Sequence, residues 1–355
     1  MKKHLIAAAV AAAVAVPAMA QNVTVYGTLD VGYQRADNGA DTYLRSANGA
    51  IATSRLGFRG TEDLGGGLKA NFMIQGQLPM ATNIGGSAAS NTTPTDTNAA
   101  AAGSNFTFNE ETWVGLSGGF GEIRIGRTDV TSAESIDTTV SQMGNLGQST
   151  VFTGTTTGEL GGNSANVIRY ISPSISGFSF QLGHAGKNNA GATTDTNTPI
   201  RSVGLSYVSG PLGVHAGYSK QKATGIAGSE LDHTAVGASY DFGVASVGYY
   251  YSDSDQSGTS NSSNVERNNL TVKVPVGSGV ALHGGYFTAK EEGSENKGSG
   301  YTFAVTKAMS KRTTVYGAFS DNESKGTAAF AITGTSAPTS GQDSSALTFG
   351  VIHSF

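Results

Sequence analysis

Between residues 54 and 78 apolar and polar side chains alternate almost one for one. Leu56 and Phe58 interleave with Arg55, Gly57 and Arg59. After the turn GTEDLGGG, Leu68, Ala70, Phe72, Ile74 and Leu78 interleave with Lys69, Asn71, Met73, Gln75 and Gln77. Successive side chains of a strand point to opposite faces, so this stretch predicts a hairpin with one oily face and one polar, basic face. The same rhythm predicts sixteen strands, at 22–35, 51–60, 67–79, 104–118, 120–128, 164–173, 177–187, 200–210, 211–222, 231–242, 243–253, 265–276, 278–290, 299–309, 311–321 and 344–355. Their length, about ten residues, is what a tilted strand needs to cross a hydrocarbon layer.

The links between these strands carry a second pattern. Long polar ones at 36–50, 80–103, 129–163, 188–199, 223–230, 254–264, 291–298 and 322–343 alternate with tight ones such as SGGF, SPSISG, SGPLG, YDFGV, PVGSG and AMSKR. Long and short ends therefore fall on opposite rims. The expected fold class is all-β, a 16-stranded antiparallel transmembrane β-barrel, whose closure satisfies every backbone amide inside lipid. Val23, Val25, Leu29, Val31 and Tyr33 at one end of the chain, and Leu347, Phe349, Val351, His353 and Phe355 at the other, are the expected outward positions. Tyr170, Phe178, Tyr207, Tyr218, Tyr240, Tyr301 and Tyr316 are expected in aromatic girdles at the membrane interfaces. The low-complexity stretches 87–104 and 188–199 fall in long links and read as solvated tips.

The first twenty residues stand apart: Lys2 and Lys3, an apolar run from Leu5 to Val16, and the small-residue site Ala18-Met19-Ala20. They predict a secretory signal peptide at 1–20, with one barrel domain at 21–355. Composition agrees with export and many turns: 50 glycines, 8 prolines and no cysteine in 355 residues leave stability to the strand network and to burial in lipid. A formal charge of −4 gives no basic surplus for nucleic acid. Catalytic patterns are missing as well. His184, His215, His233, His283 and His353 lack metal-ligand spacing, no G-x-S-x-G or Walker loop occurs, and no cofactor is expected.

Taken together, YGTLDVGY, SRLGFRGTEDLGGGLKANF, WVGLSGGFGEIRIGR, VIRYISPSISGFSF, GASYDFGVA and SKRTTVYGAFS, with a terminal Phe355, resemble the general-diffusion porins of Gram-negative bacteria, especially the beta-proteobacterial trimeric porins. The resemblance spans nearly all of the chain after residue 20. It implies an outer-membrane homotrimer in contact with lipid and lipopolysaccharide, each barrel constricted by its third long loop, here 129–163. It also implies that Phe355 resembles the signal read by the outer-membrane assembly machinery. In such porins acidic loop residues face arginines on the wall, and the field between them filters ions and small hydrophilic solutes by charge and size.

By this reading the loop contributes Asp129, Glu134 and Asp137, with Glu159 further on, and the wall contributes Arg55, Arg59 and Arg124. Period 2 turns these three inward, opposite Leu56, Phe58, Ile123 and Ile125. Arg127 follows a glycine that can break the register, so its place rests on the family resemblance; Lys69 and Arg169 are further wall candidates. At NEETWVG the chain departs from its relatives, because Glu110 stands where arginine is usual, and alternation turns either Glu110 or Glu111 inward. The expected function is passive diffusion with weak selectivity. The alternatives are a selective channel for an anion or organic acid, and a surface adhesin or antigen built on a barrel.

Overall fold

Alternation at period 2 gives the staves of the wall an oily face, and here those faces turn outward. In the computed structural model, residues 23–78, 107–130, 135–147, 152–153, 163–186, 199–222, 230–257, 263–330, 332 and 340–355 are described. The expected leader at 1–20, the stretch 87–104, most of 188–199, Glu134 and Glu159 lie outside them.

The strands are β1 (Thr24–Asp37), β2 (Thr42–Asn48), β3 (Arg55–Gly65), β4 (Leu68–Gln77), β5 (Thr112–Gly118), β6 (Gly121–Asp129), β7 (Phe152–Thr153), β8 (Asn163–Ile171), β9 (Phe178–Ala185) and β10 (Ile200–Ser209). They continue as β11 (Leu212–Lys222), β12 (Glu230–Asp241), β13 (Ser246–Ser257), β14 (Ser263–Gly277), β15 (Val280–Glu291), β16 (Lys297–Ala308), β17 (Thr313–Lys325), β18 (Ala329–Phe330) and β19 (Ser344–Ser354). A short helix, α1 (Ser135–Val140), follows β6.

Neighbours in the wall pair antiparallel, and β19 closes on β1 from Thr28↔Ser354 to Asp37↔Ser345. Strands β2 and β3 share one stave, since β2 pairs with the upper part of β1 (Val31–Asp37) and β3 with its lower part (Thr24–Thr28). The barrel therefore has sixteen staves, and β7 and β18 form a separate two-stranded piece. The terminal residue completes the seam: Gly27 and Phe355 exchange backbone hydrogen bonds of 3.2 and 3.1 Å. The Phe355 ring lies where a Cβ on residue 27 would stand, so only glycine fits there.

Outward positions are apolar and uncovered, with Val114 65% and Ile125 62% exposed, as a lipid-facing wall requires. Inward positions such as Asp30, Gln34, Thr271 and Asn322 are buried and polar. Of the expected girdle residues, Tyr170, Phe178, Tyr207, Tyr218, Tyr240 and Tyr301 share parity with these apolar positions. Tyr316 does not. It lies between outward Val315 and Gly317, is 5% exposed, and donates a 2.7 Å hydrogen bond to Asp30, so it belongs to the interior.

Two other expectations need correction. Residues 42–48 form a strand where a continuous polar link was expected, and the strand expected at 51–60 starts only at Arg55. Between them, 49–54 leaves the ladder. Asp30 holds this excursion by accepting the amides of Ile51 (2.7 Å) and Ala52 (2.8 Å) on one carboxylate oxygen, while Ser54 Oγ accepts the Asp30 amide.

Candidate functional site

Charged and polar side chains at inward positions of neighbouring staves meet in two groups. In the first, register sets Tyr26 opposite Gly57, Gly57 opposite Gln75, and Arg55 opposite Gln77. Tyr26 lies flat over the missing side chain of Gly57, donates a 2.8 Å hydrogen bond to Gln75 Oε1, and receives the Arg59 guanidinium on its ring at 4.9 Å. Glu110 joins from the segment before β5. Its carboxylate accepts Gln75 Nε2 at 2.7 Å and Gln77 Nε2 at 2.9 Å, and Arg55 Nε stands 3.8 Å away.

The second group is built on β5, β6, β8 and β9. Arg124 stacks over inward Trp113 at 4.2 Å and pairs with Glu122 at 2.8 Å. Arg169, cross-strand neighbour of Arg124, donates to the Asp129 carbonyl at 3.0 Å and to Gln181, and lies 3.9 Å from the Asp129 carboxylate. Glu111 accepts the Trp113 indole N–H, the Thr128 hydroxyl (3.2 Å) and the Asp129 amide (3.1 Å). Both Glu110 and Glu111 thus point inward. They flank Gln75 by backbone hydrogen bonds, and regular alternation begins only at Thr112.

Not every candidate joins these groups. Gly126 has φ 143°, and the β6–β8 register slips between Gly126 and Thr128. Arg127 pairs with outward Thr112 and donates to the Asn109 carbonyl, which puts it on the outer side at the long-loop rim. Lys69 has inward parity but sits beside the Gly65–Gly67 turn, at the short-turn rim. Asp137 accepts Asn269 Nδ2 at 2.8 Å, on β14, well round the wall from Arg55 and Arg59.

Asp137 reaches β14 because the segment after β6 folds into the barrel. Ile136 and Val140 of α1 pack on Ala235 and Tyr250, and Gly237 and Gly248 leave room for them. The chain continues along the wall: Gln142 N–H meets Thr271 Oγ1 at 3.0 Å, its carbonyl meets His283 Nδ1 at 2.9 Å, and Met143 and Leu146 pack on Ala304 and Ala318. Asn145 then docks on the 49–54 excursion, its amide on the Ile51 carbonyl (2.9 Å) and its Nδ2 on that of Gly49 (2.8 Å). The last long link also turns inward. Ala329–Phe330 pairs with Phe152–Thr153, Ala328 packs against Val265, Phe287 and Ala289, and Ile332 packs against Ala36 and Ala346.

Several contributors were not singled out from sequence: Asp30 with Tyr316, inward-facing Lys273, and Arg267, 4% exposed and donating to Ser254 at 3.4 Å. The available signal was the run of small residues at inward parity on β12–β17 (Ala235, Gly237, Gly248, Gly285, Ala304, Ala318), where a wall facing only water would be polar. Among the described residues no group of three or more His, Asp or Glu could hold a metal ion.

Comparison with known proteins agrees with this architecture. A family model described as Gram-negative porin matches residues 7–327. Outer membrane porin protein 32 of Delftia acidovorans is 30% identical over 370 aligned positions, covering 100% of both chains. An outer membrane porin protein of Bordetella pertussis is 33% identical over 287, covering 71% of this chain and 69% of that protein. Among solved structures, an anion-selective porin from Comamonas acidovorans superposes with a TM-score of 0.78 at 26% identity, covering 94% of this chain and 100% of that one.

Proposed function

This chain belongs to the Gram-negative porin family, channels of the outer membrane rather than enzymes, and we propose that it passes ions and small hydrophilic solutes passively with weak selectivity. The observation that carries the weakness of selectivity is charge pairing on the wall. Arg55, Arg124 and Arg169 each have a carboxylate within 3.9 Å, in Glu110, Glu122 and Asp129. Paired charges cancel at the distance of a passing ion, so they orient dipolar solutes while contributing little net field. Arg59 stacks on Tyr26 and has no ion pair among the described residues; the same holds for Lys273, exposed on the far wall. Set against inward Glu111, which also has no ion pair among the described residues, these two leave a slight preference for anions.

In this reading the segment 135–147 narrows the lumen, and the β7–β18 contact narrows the long-loop mouth. The leader at 1–20 is removed on export, three barrels assemble, and Phe355 is presented to the assembly machinery before the seam at Gly27 closes. Planar-bilayer reconstitution tests the proposal. It expects ohmic, stepwise openings with a reversal potential slightly on the anion side; absence of conductance, or saturation by one solute, would refute general diffusion.

A further inference from the structure

Where the inward segment passes over β14, β15 and β16 it leaves a recess of about 260 Å³ inside the barrel, towards the short-turn rim. Its floor is apolar: Ile51 comes from the 49–54 excursion, Met143 and Leu146 from the segment, and Ala304 from β16. Lys273 of β14 also lines it, exposed and with no ion pair among the described residues. Cross-strand from Lys273 stands His283.

The ring and hydroxyl groups of the lining are already engaged. His283 Nδ1 meets the Gln142 carbonyl at 2.9 Å, so in the neutral ring that nitrogen carries the proton. Nε2 is then the acceptor and takes the Thr306 hydroxyl at 3.0 Å. Ser141 Oγ donates to the Gly144 carbonyl and accepts the Met143 amide, both at 3.3 Å. The recess therefore sets a single cation, with no uncommitted hydroxyl, beside apolar surface. Inorganic phosphate and dicarboxylates gain most from several donors at once, whereas a ligand with one carboxylate and a flat apolar body satisfies the lysine and covers the floor. An apolar cavity of ~150 Å³ already holds a benzene ring, and a thioether such as that of Met143 is a favourable neighbour for an aromatic ring.

We propose that this recess binds aromatic monocarboxylates, with Lys273 on the carboxylate and the ring against Ile51, Met143, Leu146 and Ala304. The proposal rests on the reading of the lumen as an open diffusion path and adds one binding station beside it. Occupancy narrows that path without closing it, so other solutes continue to pass.

The test is partial block of single-channel KCl current by benzoate in planar bilayers. Millimolar benzoate should lower the wild-type current to a plateau well above zero. Lys273→Gln should raise the half-blocking concentration about fivefold, the upper end for an ion pair in contact with water, and Lys273→Arg should leave it near wild type. Ile51→Ala, which removes apolar floor and no charge, should raise it about threefold. Benzamide, neutral and of the same shape, and inorganic phosphate, charged but without an apolar body, should each block about fivefold more weakly than benzoate. The KCl conductance of each variant without benzoate shows that it has folded. Equal block of the Lys273→Gln channel would overturn the proposal. So would benzamide as potent as benzoate, which would leave the lysine no part, or phosphate as potent, which would leave the floor none. Ohmic KCl conductance with no effect of benzoate overturns this site alone, whereas absence of KCl conductance overturns the reading of the lumen as a diffusion path.

Discussion

Replacing Glu110 by glutamine tests whether paired wall charges set the selectivity. The change keeps the shape of the side chain and an acceptor for one of the two glutamine amides, but leaves Arg55, 3.8 Å away, without its counter-charge. For an ion passing ~8 Å from that guanidinium in water, the added energy is about 0.5 kcal/mol before screening and about 0.2 kcal/mol at ~0.1 M salt. It acts with opposite sign on anion and cation, so the anion-to-cation permeability ratio should rise about twofold at ~0.1 M, about fourfold at ~0.01 M, and hardly at all at ~1 M. Zero-current reversal potentials across KCl gradients at these three strengths measure it directly. A shift towards cations, or one of equal size at every ionic strength, would show that Arg55 does not face the permeation path.

Other substitutions probe neighbouring parts of the argument. The double variant Arg55→Gln/Glu110→Gln removes a neutral pair and should restore a reversal potential close to wild type, whereas Arg59→Gln should move it towards cations by about the twofold factor above. At Gly248 a methyl group would overlap the Val140 carbonyl oxygen, so Gly248→Val should push the inward segment off the wall and raise single-channel conductance; unchanged conductance would mean that 135–147 does not narrow the pore. Tyr316→Phe removes the donor to Asp30 and should cost about 1.5–3 kcal/mol, visible as a lower thermal unfolding midpoint. Gly27→Val sets a side chain against the Phe355 ring and should reduce the yield of folded, heat-modifiable barrel, a gel-shift measurement.

How much of this could be read from the chain depended on whether lipid imposed a rule. All sixteen staves were legible because each must present alternate apolar residues to hydrocarbon. Strand β2 was missed for the complementary reason: in TYLRSAN only Leu44 marks an apolar outward position, and the strand flanks the irregular excursion at 49–54. Tyr316 was placed in a girdle by residue type alone, although its parity with Ala318 and Ser320 turns it inward. The inward parity of Arg55, Arg59 and Arg124 was legible from alternation, whereas Arg169 stood only as a further wall candidate. Their partners were mixed: Glu122 lies two residues from Arg124, and Asp129 on the stave beside Arg169, whereas Glu110 reaches Arg55 across β4, and no local pattern joins Asp30 to Tyr316, 286 residues away.

The sequence by itself determined the barrel, its strand number and the face of each stave turned to lipid, because period 2 is a local property enforced at every position by the same apolar surroundings. Only the tertiary structure decided which charges cancel and where the long links go. Those outcomes depend on contacts such as Asn145 with Ile51 and Asp137 with Asn269, made between segments remote in the chain once closure has brought their staves around a common interior.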